Sequence, residues 1–346
     1  MDRREALKGI GLSALGMALL QPSRLFAKVH SSGGSALGLF RQSRIMMGGI
    51  PVTLTVTAER KKDADRAMNA AFAEMEKLER LWSIYRPDSE ISRLNTAAGK
   101  RPVPVSGETL DLIEEGFRMH TLTRGGFNMA LGPAIALWNV MDAPRIPSDA
   151  ELKHARVLVH DGVIQVDRSA KQVFLSTKGM KIDPGGIGKG FLSERAKTVL
   201  QEHGMRGGLI AAAGDIVVFG KKPDGALWRV GIQHPRDKKQ LLAALDVSDM
   251  SVSTSGDYER YFMKNGVRYH HILDPEALTP ARRSRSVSIL SSGGRHADAL
   301  GTGLFVLGAE RALSILKDEG LEGIIIDAQG RLHASPKLKA RVKFNV

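Results

Sequence analysis

Apolar and polar residues alternate or recur at fixed spacings along most of the chain, and these patterns predict both strands and helices. Residues 52–57 alternate apolar side chains with threonine, as in a half-buried strand. Residues 63–82 carry apolar side chains three and four positions apart, which predicts an amphipathic helix whose methionine and aromatic side chains lie in the core. Another helix is expected to begin after Ser106, because serine is a preferred N-terminal cap.

Short apolar runs separated by glycine-rich turns dominate the second half of the chain. They predict two hairpins, one over residues 157–166 and one over residues 323–334. Two more strands are expected at 208–211 and at 216–219, and one helix is expected after Gly190. This mixture predicts an α+β fold, in which helices pack on a mixed, largely antiparallel sheet and a ligand site lies between two lobes.

The N-terminus has the organisation of an export signal. Arg3-Arg4 is followed by an apolar run over residues 10–20, and small residues lead to a candidate cleavage site at Ala27. The run is too short to span a bilayer but has the length of the apolar region of a signal peptide. The adjacent arginines resemble a twin-arginine signal, with an ordinary Sec signal as the alternative.

The domain boundaries follow from this reading of the N-terminus. Residues 1–27 are predicted to be the signal peptide, residues 28–43 a flexible Ser/Gly-rich linker and residues 44–346 the folded domain. No later segment is apolar over a length that would span a membrane. The mature protein is therefore expected to be soluble and periplasmic.

The composition limits the chemistry of the protein. The 346 residues include no cysteine, which excludes disulfides, thiolate metal sites and cysteine nucleophiles. The formal net charge is +13, so the surface favours anionic ligands, acidic protein partners or membrane headgroups. Basic residues are scattered along the sequence, and aromatic residues make up 5% of it, too few for a base-stacking platform. Nucleic acid is therefore not expected as a partner.

Asp298 and Thr302 are four residues apart at the predicted mouth of an otherwise apolar helix. Side chains at this spacing share one helical face. A carboxylate and a hydroxyl there, near the positive end of the helix dipole, can hold a hard cation beside phosphate oxygens. The alternative is structural, with Asp298 as an N-terminal cap and Thr302 hydrogen-bonded back to a carbonyl.

The glycine-rich loop 183–190 is a second segment with candidate ligand chemistry, and it leads into a helix. Glycines at this density let the backbone approach a ligand closely, and Lys189 adds a cation beside a helix start, where anions bind well. The spacing matches neither a Walker A loop nor a dinucleotide fingerprint. A structural turn with a surface lysine is the alternative.

Further polar segments could also contact a ligand. The hydroxyl-rich turn 253–258 can bind phosphate or can satisfy its own backbone. His270 and His271 follow, and a histidine here could be a general base or an ordinary one. A metal shared by the pair is not expected, because successive strand residues face opposite ways. In the segment 81–95, Tyr85 could stack on a flat ring, although a capped loop explains this segment equally well.

Six motifs in these segments occur in one order over roughly residues 44–340: Ser83-x-Tyr85 with residues 88–95, residues 185–190, residues 213–216, residues 254–258, residues 271–275 and residues 297–302. In this order the chain resembles the ApbE family, the FAD:protein FMN transferases. The resemblance implies magnesium-dependent transfer of FMN from FAD onto a threonine or serine hydroxyl of a partner protein, with release of AMP. Attack on a pyrophosphate needs charge neutralisation and an activated hydroxyl, and these motifs could supply both.

The family pattern also implies roles for individual residues. The metal ligands would be Asp298, Thr302 and the backbone carbonyl of Gly186, and His271 would take the proton of the acceptor hydroxyl. The residues at the FAD site would be Met47, Tyr85, Gly126, Phe127, Asn128, Asp183, Lys189 and Ile272. The partner would be a flavoprotein, membrane-bound, with an Asp-x-x-(Ser/Thr)-x-(Ala/Ser)-Thr-type motif, such as the membrane regulator of nitrous-oxide respiration.

Several positions depart from the family pattern. Gly49 stands where threonine is usual, Asn128 where aspartate is common and Ala213 where glycine is usual. None of them is a proposed metal ligand or the proposed base, so the chemistry is expected to be intact. Two other functions remain open at this stage: a metal-dependent FAD pyrophosphatase, in which water replaces the acceptor hydroxyl, and a non-catalytic FAD-binding carrier. The presence of a candidate base, His271, argues against the carrier.

Overall fold

The fold is that of a computed structural model, which describes residues 37–342 and residue 344. The strands are β1 (Gly38–Met46), β2 (Ile50–Ala58), β3 (Val103–Pro104), β4 (Ile164–Asp167), β5 (Gln172–Leu175), β6 (Gly208–Ala212), β7 (Asp215–Phe219), β8 (Trp228–Gln233), β9 (Leu241–Val247), β10 (Met250–Gly256), β11 (Tyr261–Lys264), β12 (Val267–His270), β13 (Leu273–Asp274), β14 (Thr279–Pro280), β15 (Ser284–Ser291), β16 (Glu322–Asp327) and β17 (Leu332–Ala334). The α-helices are α1 (Lys61–Trp82), α2 (Glu90–Ala97), α3 (Gly107–Leu122), α4 (Gly132–Trp138), α5 (Asp149–His160), α6 (Gly188–Glu202), α7 (Gly294–Leu307), α8 (Ala309–Asp318) and α9 (Pro336–Arg341).

The central element is an eight-stranded sheet in the order β1-β2-β6-β7-β10-β15-β16-β17. Every neighbouring pair in it is antiparallel. Helices α1, α6 and α7 pack on one face and form the main core with strand residues such as Leu54 and Val217. The opposite face is covered by the β8–β9 hairpin and α9, which bury Val218 and Ile324. The predicted α+β fold with a largely antiparallel sheet is confirmed.

A small core, separate from the main core, is built by α4, α5 and the β13–β14 segment. It contains Leu131, Trp138, Val159 and Leu278, and the indole Nε1 of Trp138 donates a hydrogen bond of 2.8 Å to the carbonyl of Leu278. The β11–β12 hairpin packs its aromatic face on this core, since the rings of Trp138 and Tyr269 stack with centroids 5.6 Å apart. The molecule therefore has two lobes, one around each core.

The regular sequence patterns fold as expected. The helical pattern of residues 63–82 forms α1, the alternating residues 52–57 lie in β2, and the hairpin predicted over 323–334 forms from β16 and β17. The hydroxyl of Ser106 accepts a hydrogen bond of 3.3 Å from the backbone N–H of Thr109, so it caps α3 as expected.

The hairpin predicted over residues 157–166 is wrong. Residues 149–160 form α5, which begins with a capping box between Ser148 and Glu151. The apolar residues of this segment, among them Ala155 and Val159, face the small core at helical spacing. Only the second predicted strand forms, as β4, and it pairs with β5.

The boundary predicted for the linker is also corrected by the structure. β1 begins at Gly38 and pairs with β2 over nine residue pairs, so residues 38–43 belong to the folded domain. The predicted signal peptide and the first part of the predicted linker lie outside the described residues. Within the described part of the chain, no helix has the length and apolar character needed to cross a membrane.

Candidate active site

A cavity of about 880 Å³ lies between the two lobes. Its walls include Trp82 and Leu192 of the main core and Leu131, Trp138 and Leu273 of the small core. It is also lined by all but one of the residues predicted from the sequence: Met47, Tyr85, Gly126, Phe127, Asn128, Asp183, Gly186, Lys189, His271, Ile272 and Thr302. Asp298 is the exception, and it lies buried behind Lys189. The fold thus brings the predicted residues to one place.

Asp298 lies one turn inside α7, which begins at Gly294. The predicted position at the mouth of the helix and the alternative role as an N-terminal cap are therefore wrong. Asp298 is 2% exposed, and its Oδ2 accepts a hydrogen bond of 2.9 Å from the backbone N–H of Gly190. The carboxylate is thus held against the first turn of α6 rather than at the end of its own helix.

Thr302 follows Asp298 by one turn on the same face of α7. Its hydroxyl lies 3.5 Å from the carbonyl oxygen of Gly186 and 3.5 Å from the hydroxyl of Ser255. These are long contacts to other elements, not a bond back to its own helix. A β-carbon on Gly186 would come within 3.3 Å of the Thr302 hydroxyl, so glycine keeps the loop close to α7. A hydroxyl oxygen and a carbonyl oxygen therefore face each other here, one helical turn from Asp298.

Lys189 makes ion pairs with two buried carboxylates. Its Nζ lies 3.0 Å from Oδ1 of Asp298 and 3.1 Å from Oδ2 of Asp215. Burial by itself would lower the pKa of Lys189, but the two carboxylates outweigh it and hold the pKa above the usual range. Burial and the charge of Asp298 raise the pKa of Asp215, whose other oxygen accepts a hydrogen bond from Ser253. Lys189 is therefore not a simple surface lysine, because its Nζ pairs with two buried carboxylates.

The glycine loop before α6 is shaped by Asp183. Its Oδ1 accepts a hydrogen bond of 2.7 Å from the backbone N–H of Gly185, and its own N–H donates 2.8 Å to the carbonyl of Met129. Burial raises the pKa of Asp183. α6 starts at Gly188, three residues before the predicted start after Gly190.

His270 and His271 are held in opposite tautomers. Carbonyl oxygens only accept, so Nδ1 of His271 donates to Arg260, 3.2 Å away, and Nε2 keeps its lone pair. His270 instead donates from Nε2 to the carbonyl of Ala281, 2.8 Å away, and its Nδ1 accepts from the N–H of Ile272. Burial, with the charge of Arg260, lowers the pKa of His271 to about 3, so its imidazole is neutral at pH 7. His271 lines the cavity, and His270 is a buried part of the fold.

A comparison with known families decides what kind of protein carries this site. The model of the ApbE family matches residues 48–325. The chain belongs to the ApbE family. The FAD:protein FMN transferase of Treponema pallidum is 32% identical over 335 residues, or 91% of this chain and 92% of that protein. The FAD:protein FMN transferase of Vibrio cholerae is 30% identical over 304 residues, or 86% of this chain and 87% of that protein.

Solved structures of ApbE proteins have the same fold. The ApbE protein of Thermotoga maritima is 29% identical with a TM-score of 0.82, covering 88% of this chain and 99% of that chain. The apo flavinyl transferase ApbE of Pseudomonas stutzeri is 25% identical with a TM-score of 0.79, covering 90% of this chain and 98% of that chain. The predicted family, fold class and transferase class are confirmed.

The structure shows the local environment of three positions that the resemblance predicts to depart from the family pattern. Gly49 has a φ of +123°, in the turn between β1 and β2, a conformation that a threonine would rarely adopt. Asn128 accepts a hydrogen bond of 2.8 Å at Oδ1 from the N–H of Ala130, which an aspartate would also accept. Ala213 has a φ of +54°, in the turn before β7, where a glycine would be unstrained.

Some cavity residues were not predicted from the sequence. Arg260 and Glu259 line the cavity just after the hydroxyl-rich turn. Asp215 lies behind the cavity and is paired with Lys189. α4 and the segment after it, up to Asp142, form another part of the wall. The apolar sequence of α4 reads as ordinary core, so no sequence signal marks it as part of a ligand site. Gly126, by contrast, was predicted from the sequence as a residue of the FAD site. A β-carbon at this position would overlap the backbone of α7 at Gly303.

Proposed function

We propose that this ApbE protein is a magnesium-dependent FAD:protein FMN transferase, which moves FMN from FAD to a threonine or serine hydroxyl of a partner protein and releases AMP. One observation carries the proposal: a single cavity is lined both by His271, whose Nε2 has a lone pair, and by Thr302 and Gly186, whose oxygens could bind a metal. Relatives that align over most of the chain are named for this activity. The cavity volume of about 880 Å³ lies in the upper part of the range for small-molecule sites.

The oxygen donors suit magnesium. They are the carboxylate of Asp298, the hydroxyl of Thr302 and the carbonyl of Gly186, all hard ligands. Magnesium is usually held by one or two carboxylates together with water and substrate phosphates, so a full protein cage is not needed. Among the described residues, no group of three or more His, Cys, Asp or Glu side chains is arranged to hold a metal. A bound magnesium ion would neutralise charge on the pyrophosphate oxygens.

His271 is assigned the proton transfer. The acceptor hydroxyl loses its proton to Nε2 of His271 as its oxygen attacks the phosphorus of the FMN half of FAD. The bond from that phosphorus to the bridging oxygen breaks, and AMP leaves with that oxygen. The hydrogen bond from Nδ1 to the carbonyl of Arg260 fixes the imidazole in the required tautomer and orientation.

The cavity wall supplies the remaining functions. Tyr85 is 67% exposed at the rim and is placed to cover a flat ring. Phe127 and Ile272 are buried and give the cavity an apolar surface that excludes water. Asp183 and Asn128 offer polar atoms for the sugar or ring edges of FAD.

The cellular setting is part of the same proposal. The signal-like residues 1–27 support export to the periplasm by the twin-arginine route. The partner would be a membrane-bound flavoprotein with an Asp-x-x-(Ser/Thr)-x-(Ala/Ser)-Thr-type motif. The net charge of +13 favours such a partner where it is acidic or lies at a membrane surface.

The proposal is tested by incubating the protein with FAD, magnesium and a domain that carries the acceptor motif, followed by intact mass spectrometry of that domain. The expected result is a mass gain of one FMN, which is absent with EDTA. A matched acceptor whose hydroxyl residue is replaced by valine should gain nothing. AMP should appear in the same amount as the modified acceptor.

Two results would contradict the transferase assignment. Release of AMP and free FMN with no mass gain on the acceptor would identify a pyrophosphatase. FAD that binds and is recovered unchanged, with and without the acceptor, would identify a carrier.

A further inference from the structure

Two buried carboxylates lie behind Lys189, which lines the cavity and is partly exposed. Asp215 and Asp298 are 3% and 2% exposed, and Nζ of Lys189 lies within 3.1 Å of an oxygen of each. Two negative charges against one positive charge leave this cluster with a net charge of −1. A buried cluster with an unbalanced charge is costly to maintain, and removal of its single cation would leave two carboxylates facing each other.

The two oxygens of Asp298 are not equivalent. Oδ2 is occupied by the backbone N–H of Gly190, at 2.9 Å. Oδ1 is held by Lys189, at 3.0 Å. Each oxygen of Asp298 thus accepts one hydrogen bond, and a divalent cation that binds Oδ1 would compete with Lys189 there.

Asp215 gives Lys189 a second place to bind. Its Oδ2 lies 3.1 Å from Nζ, and its Oδ1 is fixed by the hydroxyl of Ser253. Lys189 can therefore lose its contact with Asp298 and remain paired with Asp215. This arrangement differs from the role expected from the sequence, in which Lys189 contacts FAD.

We propose that Lys189 is a built-in counter-ion of the metal site: it holds Asp298 in position before the divalent cation arrives, competes with that cation for Oδ1, and is retained by Asp215 when the cation binds. The inference rests on the proposed function for the identity of the cation as magnesium. It assigns to Lys189 a positioning role and to Asp215 the role of its second anchor.

The magnesium affinity should follow the net charge of the cluster formed by Lys189, Asp215 and Asp298. Lys189→Met leaves a charge of −2 and should bind magnesium about tenfold more tightly than the wild type, whereas Asp215→Asn leaves a charge of 0 and should bind about tenfold more weakly. The double variant returns to −1 and should lie within about threefold of the wild type. Without magnesium, Lys189→Met should unfold at a temperature lower by roughly 5–10 °C.

The experiment is a magnesium titration by calorimetry at pH 8 without FAD, with thermal unfolding of each variant with and without magnesium. Lys197→Met is the matched control, because Lys197 lies on the same helix and makes no ion pair within the described residues. It should leave the magnesium affinity unchanged. If Lys189→Met does not fold, Lys189→Gln carries the same expectation, since its amide can still donate to Asp298.

Two outcomes would overturn the inference while the proposed function stands: magnesium binding by Lys189→Met that equals or falls below that of the wild type, or a double variant much weaker than the wild type, which would make Asp215 a direct ligand. Failure of the proposed function would give a different experimental result. In that case the wild-type protein itself binds no magnesium, and the acceptor gains no mass, so the inference falls with it.

Discussion

Gly190 lies so close to Asp298 that a β-carbon at position 190 would come within 2.7 Å of the β-carbon of Asp298 and would overlap the carbonyl oxygen of Gly294. The missing side chain lets α6 and α7 cross at close range. It also brings the backbone N–H of Gly190 to 2.9 Å from Oδ2 of Asp298. A glycine that the sequence places in a ligand loop is thus a packing element that positions the candidate metal ligand.

Gly190→Ala should therefore destabilise the protein by about 1–3 kcal/mol, because α6 and α7 must move apart to admit the methyl group. Urea unfolding followed by circular dichroism measures the change. Gly188→Ala is the matched control: a β-carbon there meets nothing within 4 Å, and alanine is the better helix former, so stability should stay equal or rise slightly. Equal stability of both variants would refute the close-packing argument.

Asp298→Ala should reduce turnover to the level seen with EDTA. The substitution removes the carboxylate that shares a helical face with Thr302, and an oxygen-ligand site loses much of its affinity with a carboxylate. AMP release is measured against magnesium concentration. Asp318→Ala, at the exposed end of α8, is the control and should behave as the wild type. Full activity of Asp298→Ala would rule out this metal assignment.

His271→Ala should slow FMN transfer by about 10²–10⁴-fold, because the acceptor hydroxyl loses its base. FAD binding should be largely unchanged, which fluorescence titration of FAD tests directly. Transfer by the wild type should show no loss of activity at pH 6.5 from this residue, since burial and Arg260 lower the pKa of His271 to about 3. A collapse of FAD binding in the variant would instead make His271 a ligand contact.

His270 should make folding stability depend on pH. Burial lowers its pKa to about 4 in the folded protein, against about 6.5 in the unfolded chain. Between these values the unfolded chain binds more protons, so the free energy of unfolding is highest above pH 6.5 and falls as the pH drops toward 4. The loss from His270 alone should be on the order of 3 kcal/mol, and His271 acts in the same direction.

The measurement is urea unfolding at several pH values between 7.5 and 4. His270→Gln should be less stable at pH 7.5, because the contacts to Ala281 and Phe305 are disturbed, but its stability should decline less steeply with acid. His154→Gln, at an exposed position of α5, should keep the wild-type slope. A wild-type slope in His270→Gln would show that other groups control the acid sensitivity.

Ala213→Gly should stabilise the protein by about 1 kcal/mol, because alanine at a φ of +54° carries a steric cost that glycine avoids. Glycine gains entropy in the unfolded chain, which offsets part of this effect. The expected rise in unfolding temperature is roughly 2–4 °C. Ala211→Gly, in the extended strand β6, is the comparison and should lower stability instead.

The sequence predicted elements in which local spacing and tertiary burial agree. The helix α1 has a continuous apolar stripe, and its residues Met68, Phe72 and Met75 are all fully buried. Five residues from 157 to 161, Val-Leu-Val-His-Asp, are short enough to suit either a strand or a helix. The capping box of Ser148 and Glu151, together with the small core, selects the helix.

In the candidate site, too, some features could be predicted from the sequence and others depend on the tertiary structure. The sequence by itself predicted which residues would line the site, because motif composition and order are local properties of the chain. Only the tertiary structure decided that Asp298 lies inside α7, that Lys189 pairs with Asp215, and which nitrogen of His271 is free. The Asp298–Lys189 contact joins residues 109 positions apart, and no spacing rule along the chain encodes such a distance. Local patterns fix which face of an element is buried, but the partners on that face depend on how helices and strands cross in space.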